Sequence, residues 1–174
     1  MKIYDEKKLV KKINNILIGK NGASKRIYEG AKKTPKGKYN LGIALGKEDL
    51  KIKYPYLKIK ESYHWVDDVN SKYYNNLVTT ENIKTDYQYV KQIKEKDFKT
   101  SENLIKYDSY KYLINIEYNK KGKKINGIGR GSAIFIHCTS NKNYTLGCIA
   151  INEKDMLDLL NLLDKNKHPK IWIK

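Results

Sequence analysis

At 174 residues the chain has the length of one domain that can bury a core without staples, and its 40% hydrophobic content and mean hydropathy of -0.74 describe a heavily solvated surface. The 36 basic against 19 acidic residues leave a formal charge of +17, a field that attracts nucleic acid, anionic lipid or acidic wall polymers. Nearly all of the excess is lysine, because Arg26 and Arg130 are the only arginines, which argues against a specific nucleic-acid reader, and no apolar run reaches the length of a membrane span.

In chain order, residues 1–5 and 15–19 read as strands flanking a lysine-rich hairpin, and LGIALG (41–46) continues the β pattern. KYPYLKIK (53–60) alternates, as does KYLINIEYN from Lys111, where Tyr112 and Leu113 fall on opposite sides. Short helices are expected near 73–78 and 101–107. Residues 80–101 are polar and loop-like, suiting an inserted loop or lid. GSAIFIHC (131–138) is a nearly continuous apolar run, the pattern of a strand buried on both faces. Asn152 then caps Glu153, Lys154 and Asp155, and Met156, Leu157, Leu159, Leu160 and Leu163 recur at helical spacing. Pro169 marks the end of that helix, and IWIK returns to strand. The expected fold is mainly β, one domain over residues 1–174 with a single helix in its C-terminal region and a few short ones.

The chemistry concentrates in FIHCTSNKNYTLGCIAI, residues 135–151. Thiol acyl transfer needs a thiolate, a base, a group that aims the base, and donors for the oxyanion. On a strand, His137 and Cys138 face opposite sides, so only one of them can share a site with Cys148. The loop between them is long enough to bring Cys148 beside His137 on a neighbouring strand, and Gly147 lets the backbone bend and bares its own amide and that of Cys148. The residues alone leave two readings open: a nucleophile with its base, or a thiol and an imidazole buried in a small core. Cys138 reads as a core hydrophobe. His64 is a weak site candidate, and His168 reads as structural. The two cysteines offer neither a CxxC metal spacing nor a disulfide framework, so no metal or cofactor is expected.

The order of histidine, loop and Thr145-Leu146-Gly147-Cys148 resembles the L,D-transpeptidase catalytic domain, the YkuD-type family. GRGSAIFIH from Gly129 and TLGCIAINEKDMLDLL from Thr145 are similar to the branch in which GxGSAIFxH precedes GC(V/I)A and a leucine-rich helix. IGKNG at Ile18, TPKGKYNLG at Thr34, WVDDVNSKYYN at Trp65 and SENLIKYDSYKY at Ser101 follow that branch's order. This chain departs from the commoner pattern: Cys138 stands for Gly, Leu146 for His, and Ala150 for the arginine that usually binds a carboxylate. The resemblance implies a β-sandwich or barrel in which Cys148 is the nucleophile and His137 the base, aimed by a backbone carbonyl such as that of Cys138. It further implies an oxyanion site of the Gly147 and Cys148 amides with Thr145, supported from beneath by Thr34, Pro35 and Gly37. Candidate substrate residues are Arg130, as a substitute cation, with Trp65, Asp67, Asp68, Tyr73, Tyr74 and Asn75.

The implied reaction is attack on a peptidoglycan tetrapeptide stem with release of D-Ala, then transfer to an amine to give a 3-3 crosslink. The alternatives are trimming by water, as a carboxypeptidase, or a noncatalytic basic module that binds the wall or another polyanion. Implied partners are stem peptides and anionic wall polymers, with no specific nucleic acid. MKIYDEKKLV carries no apolar h-region or cleavage site. The resemblance places the protein in the cell envelope or periplasm, while the sequence also permits the cytoplasm.

Overall fold

The computed structural model describes residues 1–5, 7–82 and 88–174. The lysine-rich start folds as an antiparallel hairpin of β1 (Lys2–Asp5) and β2 (Lys8–Lys12). Residues 15–19, expected as a strand, make only two isolated bridges, Leu17 to Ala150 and Gly19 to Thr145. The left-handed Asn15 (φ 51) on one side and the Gly19–Gly22 turn on the other leave too few extended residues for a ladder. The short pair β3 (Ala23–Ser24) and β4 (Thr34–Pro35) precedes β5 (Gly37–Gly46). Of the alternating 53–60 stretch, only β6 (Tyr56–Lys58) pairs, beside the second half of β5.

The middle of the chain supplies β7 (Tyr63–Val66), β8 (Leu77–Thr79), β9 (Lys91–Gln92) and β10 (Ser101–Asn103). Neither helix expected here spans its range. Residues 71–76 are turns closed by the left-handed Asn75 (φ 59) before β8 begins. Ser101–Asn103 is drawn into a ladder with β7, and only Leu104–Lys106 turns as 3-10 helix. Part of the 80–101 stretch, residues 83–87, lies outside the described residues. Beyond it β9 pairs in parallel with β8, and Val90 and Ile93 are buried. β11 (Tyr112–Ile116), a small pair β12 (Lys124–Ile125) and β13 (Ile128–Gly129), β14 (Phe135–Cys138), β15 (Ile149–Ile151), the helix α1 (Glu153–Leu162) and β16 (Lys170–Ile173) complete the chain.

A six-stranded sheet runs β15-β14-β11-β5-β16 with β6 beside β5, and a four-stranded sheet runs β10-β7-β8-β9. Period-two alternation splits the larger sheet cleanly. Ala44, Tyr112, Ile114, Ile136, Cys138 and Ile149 face Met156, Leu159 and Leu160 of α1, while Ile43, Leu45, Leu113 and Phe135 face Tyr63, Trp65 and Leu77 of the smaller sheet. Both faces of β14 are therefore buried, as its apolar run requires. The result is a mainly β, sandwich-like architecture with one α-helix among the described residues. That helix starts where Asn152 accepts the Asp155 amide (2.8 Å), and its buried side chains each contribute about 2–3 kcal/mol of burial free energy.

Candidate active site

Parallel pairing of β14 with β15 sets His137 beside Ala150. Cys148 lies two residues before Ala150, so the imidazole and the thiol project from neighbouring strands toward the same face, the one that meets the smaller sheet. Cys138, one residue on, packs into the opposite cluster against α1. His137 Nδ1 lies 2.7 Å from the Cys138 carbonyl. A carbonyl only accepts, so Nδ1 carries the proton and Nε2 is left with a lone pair. Burial holds the imidazole below its ordinary pKa, which keeps it neutral and able to accept a proton at neutral pH.

The sulfur is buried and doubly bonded to backbone. Its S–H donates to Ala133 O (3.1 Å) and the sulfur accepts from Phe135 N–H (3.3 Å). Desolvation, reinforced by the charge of Glu102, raises the thiol well above its usual range, against a smaller opposing effect of the Phe135 amide. The resting site thus holds a thiol and a neutral imidazole, with ionisation left to the reaction itself.

Two threonines fix the turn around the sulfur. Thr145 Oγ1 donates to Cys148 O (2.7 Å) and accepts from Gly147 N–H (3.1 Å), which leaves the Cys148 amide as the one of the two not engaged by Thr145. Thr34 Oγ1, on β4, donates to the same Cys148 carbonyl (3.3 Å) and accepts the Gly19 amide (2.9 Å). Gly147 sits at φ 148, where a side chain would come within 3.2 Å of Ile134 Cδ1 and of the Lys33 carbonyl. Glycine is therefore needed both for the dihedral and for the space.

The acceptor of the thiol proton, Ala133, is itself left-handed at φ 50. Asn75 holds it there: Asn75 Oδ1 accepts from Ala133 N–H (3.0 Å) and from Trp65 Nε1–H (2.8 Å). Its Nδ2 donates to Tyr118 O (3.0 Å) and Asn119 O (2.9 Å). All four hydrogen bonds of the buried amide are made within the protein, so Asn75 positions the site. Trp65 packs edge-on against Phe135 at 4.9 Å.

Tyr110 and Glu102 are functional candidates that motif reasoning passed over, although both lie in the quoted SENLIKYDSYKY stretch. The Tyr110 ring meets the His137 ring at 5.4 Å and 72°, and its hydroxyl donates to Glu102 Oε2. Burial raises the Glu102 carboxyl to about 7, partly countered by that hydrogen bond. Only spatial adjacency reveals this pair, since Tyr110 lies far along the chain from the His137 ring that it meets, as Glu102 does from Trp65.

The remaining predicted residues scatter. Tyr74 is buried, its hydroxyl donating to Glu29 and accepting from Gly131 N–H (3.0 Å), with Ser132 Oγ also on Glu29 (2.8 Å). Tyr73 packs with Val66, Val78, Ile93 and Phe98 on the far face of the smaller sheet. Asp68 accepts the amides of Asn70 (2.8 Å) and Lys99 (2.9 Å), which hold its carboxyl below the usual range. Asp67 keeps one buried oxygen without a partner. Arg130 lies near Tyr118 and Tyr39, whose hydroxyls burial raises and the Arg130 charge only partly offsets, and its carbonyl accepts the Tyr118 hydroxyl (2.6 Å). His64 pairs with Ser101 Oγ (3.0 Å) away from the thiol, and His168 is a left-handed cap (φ 46). A cavity of about 580 Å³ is bordered by Trp65, Asn75, Asn115, Tyr118 and Lys170, but by neither Cys148 nor His137. Among the described residues, no group of three His, Cys, Asp or Glu side chains is placed to hold a metal ion, and no helix is long and apolar enough to cross a membrane.

Residues 1–173 match a family model described as the L,D-transpeptidase catalytic domain, YkuD. No curated protein and no solved structure matches the chain.

Proposed function

The chain belongs to the L,D-transpeptidase catalytic domain family, whose members act on peptidoglycan stem peptides, and from that premise we propose that Cys148 is the acyl-transfer nucleophile and His137 its base. The observation that carries this reading is the register: His137 on β14 and Cys148, immediately before the adjacent β15, share a face, with the imidazole proton pinned to the Cys138 carbonyl and Nε2 left to accept another. His137 takes the thiol proton as the sulfur attacks the carbonyl of the third residue of a tetrapeptide stem. The C–N bond to D-Ala breaks, the proton passes from His137 to the leaving amine, and a Cys148 thioester remains. An amine of a second stem then displaces the sulfur to give a 3-3 crosslink. Displacement by water gives a trimmed stem instead.

The Cys148 amide is the donor best placed for the oxyanion. The Gly147 amide joins it when Thr145 Oγ1 releases it, a modest demand for a 3.1 Å bond. The neutral resting pair keeps the sulfur inert until substrate displaces water and supplies the developing charge with donors. The reaction places the protein's work outside the cytoplasmic membrane, and its surplus lysine charge suits association with anionic wall polymers. Intact mass after incubation with a carbapenem tests the assignment. The native protein gains one drug mass, and Cys148→Ala, which retains its fold, gains none. Absence of both adduct and D-Ala release from the native protein rules the reading out.

A further inference from the structure

Where β5 and β11 of the larger sheet face β7 and β8 of the smaller, the inward apolar rows stop short and leave the cavity of about 580 Å³, a volume within the usual range of small-molecule sites. A bulge makes the break. Ile114 pairs with Ala44 and Ile116 with Leu41, so Gly42 and Ile43 together oppose the single residue Asn115. Alternation puts Asn115 on the face of Leu113, where a carboxamide stands in place of the apolar side chain that packing would favour. Gly42 makes room for it, since a side chain there would come within 2.7 Å of Asn115 Nδ2. The carboxamide bonds to no other described residue, and its two donors and its acceptor remain for a ligand.

Tyr54, Trp65, Tyr89 and Tyr118 add ring surface to the walls. Asn76 commits its amide hydrogens to Tyr73 O and Tyr74 O and keeps its oxygen as an acceptor. Glu117 is the only acid at the border among the described residues, and Lys120 already pairs with it (2.5 Å), whereas Lys91, Lys165 and Lys170 form no ion pair there. The border therefore carries positive charge without an internal partner.

We propose that this cavity is a second ligand site, separate from the thiol centre, and that it takes a phosphorylated sugar. Ring surface meets the C–H faces of the sugar, carboxamides that both donate and accept meet its hydroxyls, and the lysines meet the phosphate as point charges. An apolar ligand would strand the Asn115 carboxamide, and a neutral sugar would leave the lysine charge unopposed. The site stands apart from the acyl-transfer reading, because neither Cys148 nor His137 borders it.

The indole N–H of Trp65, on the cavity wall, reports occupancy by proton–nitrogen correlation NMR, and Trp172→Phe separates its signal from that of the one other tryptophan. N-acetylglucosamine 6-phosphate shifts the Trp65 signal saturably and binds about tenfold more tightly than N-acetylglucosamine or inorganic phosphate alone. Lys91→Gln with Lys170→Gln, both at exposed positions, brings the phosphorylated sugar to the affinity of the neutral one, and Asn115→Leu weakens both sugars about tenfold or more. Thermal melts verify folding, and the lysine pair alone decides where Asn115→Leu unfolds. Both sources of the ligand support the site: an oligomer of hexose phosphates that binds more tightly than the monomer identifies a polymer, and equal affinity identifies a free sugar phosphate. No saturable shift at Trp65, inorganic phosphate that binds as tightly as the sugar phosphate, or an affinity that survives the variants overturns the proposal.

Discussion

Asn75→Ala is the most informative single perturbation, because one buried amide ties both sheets to the turn that receives the thiol proton. Truncation leaves Trp65 Nε1–H, Ala133 N–H and the carbonyls of Tyr118 and Asn119 without their partner. Each abandoned buried donor costs about 1–3 kcal/mol, and the carbonyls fall at the low end because a second lone pair and nearby solvent soften the loss. Alanine at φ 59 adds roughly 1 kcal/mol that asparagine largely avoids. The sum is about 5–9 kcal/mol, a large share of the 5–15 kcal/mol typical of a domain, and at about 2–4 °C per kcal/mol it lowers Tm by about 10 °C or more. Urea unfolding followed by tryptophan fluorescence measures it, and the alkylation rate of Cys148 reports whether Ala133 still receives the thiol. A loss below 1 kcal/mol would show that the four bonds are replaced by water, and would refute the role assigned to this amide.

Four further outcomes follow from the same geometry. Gly147→Ala meets Ile134 and the Lys33 carbonyl at 3.2 Å in a left-handed conformation, so it lowers stability by about 2 kcal/mol and abolishes the carbapenem adduct, checked by melting and mass. Because burial raises the thiol, iodoacetamide alkylation of Cys148 in the unliganded protein climbs only at pH values above those of an ordinary cysteine, and a midpoint in the ordinary range contradicts the resting thiol. Glu102, raised from 4.5 to about 7, binds more protons folded than unfolded across that window. Its contribution is therefore fully present below pH 4.5 and is lost as pH rises through 7. Glu102→Gln gains roughly 2 kcal/mol relative to the native protein at pH 8 and nothing at pH 4, as paired denaturation curves will show. His137 adds the opposite slope. Its lowered pKa means that the unfolded chain binds the extra proton, so stability falls as pH drops below 6.5.

Periodicity by itself determined β5, β11 and β14 of the larger sheet and the C-terminal-region helix. The 131–138 run must be buried on both faces, and alternation over Lys111 to Ile116 must divide Tyr112 from Leu113. The helix was equally plain, since a cap followed by leucines at helical spacing has few other ways to hide its apolar stripe. Spacing also required that only one of His137 and Cys138 share a face with Cys148, and the parallel register of β14 with β15 decided for His137. What lay beyond the sequence depended on partners far along the chain. Residues 15–19 look like a strand locally but find only two bridging positions, and 101–107 look helical but lose their start to a ladder with β7. The Tyr110–Glu102 pair, the unpaired Asp67 oxygen, the Asn75 clamp on Ala133 and the protonated state of Cys148 were all decided by tertiary packing. Local pattern fixes which side of a strand a residue faces, whereas the charge and protonation of a group depend on what chain closure places around it.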